Sequence, residues 1–214
     1  SVQPTGDTPM VRRQFGDYGN VDLTKQHTIQ WKWRFDGDLG DFGGSFNDRI
    51  HFFADKDPED GTNSGNSWII GLIAADRPGN DIHDGHWYLY SRTNGGFDVT
   101  NMFDTGLTLQ AGTVYTFKVT VDPAGGKYDA TISDGTSAVT GARMVFRNNQ
   151  TSAGGVFWDY LHFGTNANSA SDDLSFALDS VRVSRAAIQA DFTQGNGTTA
   201  ADQYGGTAGQ GWMG

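Results

Sequence analysis

Six residues of this chain carry side chains suited to chemistry on an extended polar ligand: Arg49, His51, His86, Tyr88, Tyr90 and Arg92. They fall in two short segments, "DRIHFFAD" and "HWYLYSR", whose alternate positions are apolar. Guanidinium forks suit carboxylate or sulfate groups, and tyrosine rings offer a flat face to a sugar. Imidazole and phenol groups can also act as acid and base. A third segment, "TIQWKWRFDG", adds Gln30, Lys32 and Arg34 opposite Ile29, Trp31, Trp33 and Phe35. If these segments are neighbouring strands, their outward positions form one basic, aromatic-dotted groove in an otherwise acidic protein. Field focusing in such a groove favours an anionic chain. Outward strand positions are also ordinarily polar, so the same residues fit a plain sheet surface.

Other candidates involve metals. Asp55, Asp57 and Asp60, followed by Gly61, approximate a D-x-D-x-D-G calcium loop with one residue too many. Pro58 interrupts the spacing, and no glutamate follows where a bidentate ligand would close the site. The stretch "ADKDPEDGTNSGN" therefore reads either as a calcium loop, with Asp55, Asp57 and Asp60 as ligands, or as a solvated rim loop. Further acids stand at Asp36, Asp38, Asp41, Asp172 and Asp173, and calcium is the expected cofactor if there is one. His83 and His86, with Asp84 between them, have the types of a transition-metal site, although H-x-x-H outside a helix is a weak signal.

The elements that must position these residues are strands. Period-two alternation recurs through the chain, and no 3.6-residue apolar stripe competes with it. "TVYTFKVTVD" sets Tyr115, Phe117, Val119 and Val121 against Thr116, Lys118 and Thr120. "SWIIGLIAA" is apolar on both faces, which suits a central strand covered on each side. "FWDYLHFG" leaves open whether Trp158, Tyr160 and His162 face the groove or the core. Asp134-Gly135 and the stretch Asp122 to Gly126 are hairpin turns. The chain holds 30 glycines, 14 Phe, 7 Tyr and 6 Trp, enough for one aromatic core linked by many turns. The expected fold is all-β, a two-sheet antiparallel β-sandwich. Residues 1–14 read as a loose lead-in. Residues 186–214 are Gly- and Thr-rich and read as a docked edge strand or the start of a following module.

Composition excludes several classes. With no cysteine there is no disulfide, thiolate metal site or thiol nucleophile. A net charge of −10 opposes nucleic acid and anionic membrane. No apolar run approaches the ~18 residues of a membrane-spanning helix. The opening "SVQPTGDTPM" lacks the basic and apolar regions of a signal peptide.

The run "LTLQAGTVYTFKVTVDPAGGKYDATISDG", followed by "LSFALDSVRVS", resembles the concanavalin A-like lectin/glucanase superfamily, especially its laminin-G-like and carbohydrate-associated jelly rolls. In such domains a "G-x-x-Y-x-F-x-V-x-V-D" strand, here Gly112 to Asp122, leads into a hairpin. An "L-D-x-V-x-V" strand, here Leu178 to Val183, closes the sandwich near its start. The resemblance covers residues 15–185 and implies a two-sheet antiparallel jelly-roll β-sandwich that recognises extracellular polysaccharide as a module of a larger secreted or surface protein. Lys32, Arg34, Arg49, His51, His86, Tyr88, Tyr90 and Arg92 are then the ligand-binding candidates. One alternative is a polysaccharide lyase for anionic glycans using His51, His86, Tyr88, Tyr90, Arg49 and Arg92. A second is a laminin-G-like adhesion or structural module with a protein partner. The superfamily's E-x-D-x-x-E hydrolase motif has no counterpart, since Glu59 is the only glutamate. The lyase motifs R-x-E-x-R, Q-x-H and Y-x-K-x-G are absent too, so whether the domain is an enzyme stays open.

Overall fold

The structure is a computed structural model. It describes residues 10–14, 21–42, 49–55, 67–73, 85–91, 102–146, 160–166 and 173–185. Within them the chain forms eleven strands and no helix. They are β1 (Met10–Gln14), β2 (His27–Phe35), β3 (Arg49–Asp55), β4 (Ile69–Ile73), β5 (His86–Tyr90) and β6 (Met102–Thr108). β7 (Val114–Asp122), β8 (Lys127–Ser133), β9 (Ala138–Val145), β10 (Tyr160–Asn166) and β11 (Phe176–Arg185) complete the set. A six-stranded sheet has the order β1-β10-β3-β4-β5-β6, and a five-stranded sheet has the order β11-β2-β7-β8-β9. Every pairing is antiparallel. This is the expected jelly-roll sandwich, with β11 closing against β2 near the start of the domain. Residues 186–214 lie outside the described residues.

The alternation read from the sequence places the core between the sheets. Trp31, Trp33, Phe35, Tyr115, Phe117, Val119 and Val121 come from one sheet, and Phe52, Ile70, Leu72, Trp87, Leu89 and Phe163 from the other. Trp31 pairs in register with Phe117, and their rings stack with centroids 5.0 Å apart. Trp33 meets Trp87 of the opposite sheet edge-on at 5.5 Å. Each such side chain contributes roughly 1.5–3 kcal/mol by leaving water, and offset or edge-on ring pairs add to that.

The two sheets are also tied by polar contacts. The hydroxyl of Tyr128 on β8 sits between the carbonyls of Tyr90 and Ile69, 3.1 Å from the latter. Complete burial pushes this phenol far up from its ordinary pKa, so it stays a donor. On β9 the amide of Val145 donates to Ser91 Oγ at 3.1 Å. These bonds fix the end of β5, which carries Tyr88 and Tyr90. The expected hairpins form as well. Asp122 accepts the Gly125 amide at 3.0 Å, and Asp134 accepts those of Thr136 and Ser137 at 2.8 and 2.7 Å.

Candidate functional site

Strand alternation gives each sheet an outer face, and the site candidates divide between the two. Lys32 and Arg34 lie on β2, exposed on the outside of the five-stranded sheet, and Arg34 pairs with Asp36 at 2.5 Å. Arg49 and His51 lie on β3, and His86, Tyr88 and Tyr90 on β5, in the six-stranded sheet. The single groove expected from the sequence therefore does not include Lys32 and Arg34. Strand order puts β2 in the opposite layer, on the far side of the core.

Arg49, His51, His86, Tyr88 and Tyr90 do come together on neighbouring strands. Register across β10, β3, β4, β5 and β6 sets out three rows on the outer face. The first runs His162, Phe53, Ile69, and the middle one runs Gly164, His51, Gly71, Tyr88, Asp104. In the third row Arg49 pairs with Ile73, and the Leu72–Trp87 pairing brings Ile73 beside His86. Arg49 and His86 thus stand two strands apart, about 10 Å.

This face is not a plain solvated one. Tyr88, Tyr90 and His162 are only 2–3% exposed, and Ile69 is equally buried, although all four point away from the core. Arg49, His51 and Phe53 are half-buried. The His162 imidazole stacks on Phe53, with centroids 4.4 Å apart and planes 13° from parallel. His162, which the sequence left ambiguous, therefore belongs to the outer face, while Leu161 and Phe163 enter the core.

Gly71 makes a second contact possible. A Cβ at this position would lie 2.8 Å from Tyr90 Cε2, 3.2 Å from His51 Cδ2 and 3.3 Å from the Tyr90 hydroxyl. The Tyr90 ring therefore lies over the bare backbone of β4, edge-on to the His51 ring at 6.4 Å. Glycine inside a strand commonly marks such a close approach, and this one assembles phenol and imidazole side by side.

At the border of the sheet the sequence reading missed Asp104. Its carboxylate meets His86 Nδ1 at 3.1 and 3.2 Å and accepts the Gly106 amide at 2.7 Å. The signal was available in "MFDTGLT", where a glycine and an aspartate break a strand pattern.

Arg92, His83, Asp84, Asp57, Asp60 and Trp158 lie outside the described residues. Asp55 is the last residue of β3. Asp38, Asp41 and Asp173 use their carboxylates on backbone amides: Gly40 at 2.7 Å, Asp173 at 2.9 Å and Ser175 at 3.1 Å. They close loops, and among the described residues no group of three or more acids or histidines is placed to hold a metal.

No family model and no curated protein matches the sequence. Solved structures do match. A sialidase aligns over 86% of this chain with a TM-score of 0.50 at 13% identity. The catalytic domain of a GH131 β-glucanase from Podospora anserina aligns over 84%, with a TM-score of 0.50 at 12% identity. The chain spans 15% of the sialidase and 66% of the glucanase domain. With the two-sheet topology, these matches show the fold, a two-sheet antiparallel jelly roll.

Proposed function

We propose that this domain recognises polysaccharide on the outer face of its six-stranded sheet, as an extracellular module of a larger secreted or surface protein. The observation that carries the reading is the Tyr90–His51 contact over Gly71, set in a face of Phe53, His162, Tyr88 and Arg49. Half-buried Arg49, His51 and Phe53 supply the ligand contacts, and buried Tyr88, Tyr90 and His162 hold them in place. Ring faces suit the apolar side of a sugar, while imidazole and guanidinium suit its hydroxyl and acidic substituents. Two solved structures with this fold are named as a sialidase and a β-glucanase, which supports a glycan as the ligand class. Affinity electrophoresis through neutral and acidic polysaccharides tests the reading. The wild type and Lys32→Ala should be retarded alike and His51→Ala should run free. Equal mobility of all three in every gel sinks it.

The same Tyr90–His51 contact favours a second reading, a lyase for anionic glycans. Proton abstraction beside a uronate carboxylate needs a base, an acid and a cation, and His51, Tyr90 and Arg49 are those types on one face. Ultraviolet absorbance of unsaturated products, on incubation with uronate polymers, separates the readings. A signal lost in Tyr90→Phe makes the domain an enzyme, and none from any polymer leaves it a binding module.

A further inference from the structure

The proposed glycan face depends on where the end of β5 lies, and that end is held from the other sheet. The register of β4 and β5 runs Leu72–Trp87, Gly71–Tyr88 and Ile70–Leu89 and goes no further. Ile69 and Tyr90 are next in line, and both are buried. Buried carbonyls need a donor. Here one phenol, the Tyr128 hydroxyl of β8, serves the carbonyls of both residues. Tyr128 shares the inward phase of Ala130 and Ile132, and its ring packs on Phe146 with centroids 6.4 Å apart. One residue beyond Tyr90, the Val145 amide of β9 adds its bond to Ser91 Oγ.

The consequence lies on the outer side of the sheet. Tyr90 has its carbonyl on Tyr128 and its ring over Gly71, edge-on to His51. Strand ends without ladder bonds fray, and fraying here would swing the ring away from the bare backbone of Gly71. We infer that Tyr128 is a positioning residue for the glycan face: its hydroxyl stands in for the next rung between β4 and β5 and so holds the Tyr90 ring against His51. The inference rests on the glycan reading for its use. The placement of Tyr90 stands on the hydrogen bonds alone.

The other end of β5 supplies the control. There β6 bulges between the His86–Thr108 and Tyr88–Asp104 pairings. A second phenol, Tyr115, donates to the Thr108 carbonyl at 2.8 Å and accepts the Gln110 amide at 2.9 Å. Tyr115→Phe and Tyr128→Phe each delete one hydroxyl, so both should lower the denaturation midpoint, but only Tyr128→Phe should move the Tyr90 ring. Proton NMR on the full chain reads this. The Gly71 α-proton that stands where a side chain would start points at Tyr90 Cε2, so the wild type should show a nuclear Overhauser effect between them. The effect should survive in Tyr115→Phe and weaken or vanish in Tyr128→Phe. Full strength in Tyr128→Phe overturns the inference. If that variant does not fold, the wild type decides: its Tyr128 hydroxyl proton should be shifted downfield and slow to exchange, and a fast-exchanging one overturns the inference.

Affinity electrophoresis through alginate, pectin and a neutral β-glucan is the second measurement, read in whichever gel retains the wild type. Tyr115→Phe should bind as the wild type does. Tyr128→Phe should bind about two- to tenfold more weakly. An apparent dissociation constant rises only as far as the placed state is depopulated, and one net hydrogen bond is at stake. Equal weakening in both variants assigns the effect to lost stability and overturns the positioning role. If the Gly71–Tyr90 contact is lost in Tyr128→Phe while affinity holds, the inference fails and the glycan reading survives. If none of the polysaccharides retains the wild type, both fall together.

Discussion

The two outer faces of this sandwich are built on the same alternation yet obey different rules. Outside the five-stranded sheet, Gln30, Lys32, Arg34, Thr116, Lys118 and Asp129 are exposed, and the aromatic rings of β2 and β7 turn inward. Outside the six-stranded sheet, Ile69, Tyr88, Tyr90 and His162 are as buried as core residues, beside a glycine that only a close ring contact requires. One face is a solvated boundary whose composition is set by solubility. The other spends buried aromatic and imidazole groups where polar residues would do. Burial of polar rings outside the core has a desolvation cost, so their arrangement points to use.

The largest effect that would break this comparison comes from truncating the buried outer ring. Tyr90→Ala should destabilise the domain by about 3–5 kcal/mol, as for an aromatic removed from a core. Chemical denaturation checks it. A loss below about 1 kcal/mol would mean that the Tyr90 ring contributes no more than an exposed one. Next in size is Gly71→Ala. The added methyl meets Tyr90 and His51 at 2.8–3.2 Å, which should cost about 1–3 kcal/mol. Glycan retention should fall with it, because relief of the clash moves the two rings that the site needs together. Retention at wild-type strength would show that their contact is packing only.

Much of this was legible in the sequence, and the rest was not for a physical reason. β2 and β7 were read from alternation because each has one wet face, and "SWIIGLIAA" was read as doubly covered because it has none. What alternation cannot give is which strands are neighbours. β3 pairs with β10, over 100 residues away in the chain, and β2 with β7 and β11. Lys32 and Arg34 match Arg49 and His51 in type and phase, yet strand order sends them to opposite sides of the molecule. His162 was ambiguous because its own strand is apolar on both faces. Asp104 was passed over because a bulge shifts its phase, and bulges are set by partner strands as much as by local residues.

A smaller effect sharpens the comparison from inside the five-stranded sheet. His27, the first residue of β2, shares the inward phase of Ile29 and Trp31, is buried, and its Nδ1 donates to the Lys25 carbonyl at 2.8 Å. Burial is the largest influence on it and lowers its pKa, while that hydrogen bond and the charge of Asp22 pull the other way. The unfolded chain takes up a proton at an ordinary histidine pKa of about 6.5, but folded His27 resists until lower pH. Stability from this residue is therefore complete above about pH 6.5 and declines as pH falls toward the lowered folded value. Its share of the slope cannot exceed about 1.4 kcal/mol per pH unit. His27→Gln, which can still donate to Lys25, should flatten the stability profile between pH 6.5 and the lower value. An unchanged slope would mean that the buried ring titrates as it does in the unfolded chain.

The smallest expected effect is the most telling, because it asks whether the exposed face is as idle as it looks. Thr116, Lys118 and Gln30 lie in the open outer layer of β7 and β2, where substitution removes no buried contact. Thr116→Ala should change stability by about 0.5 kcal/mol or less. The triple change Gln30→Ala, Lys32→Ala, Lys118→Ala should leave glycan retention at its wild-type value. If the triple variant instead loses retention of acidic polymers and keeps that of neutral ones, this face would be collecting anions by charge. Such binding should collapse with added salt, because exposed charges are screened within about 8–10 Å at physiological ionic strength. Retention by the Tyr90–His51 face, where the groups are wholly or partly buried, should persist in the same salt. The salt dependence of the two sets of variants thus assigns binding to one layer of the sandwich or the other.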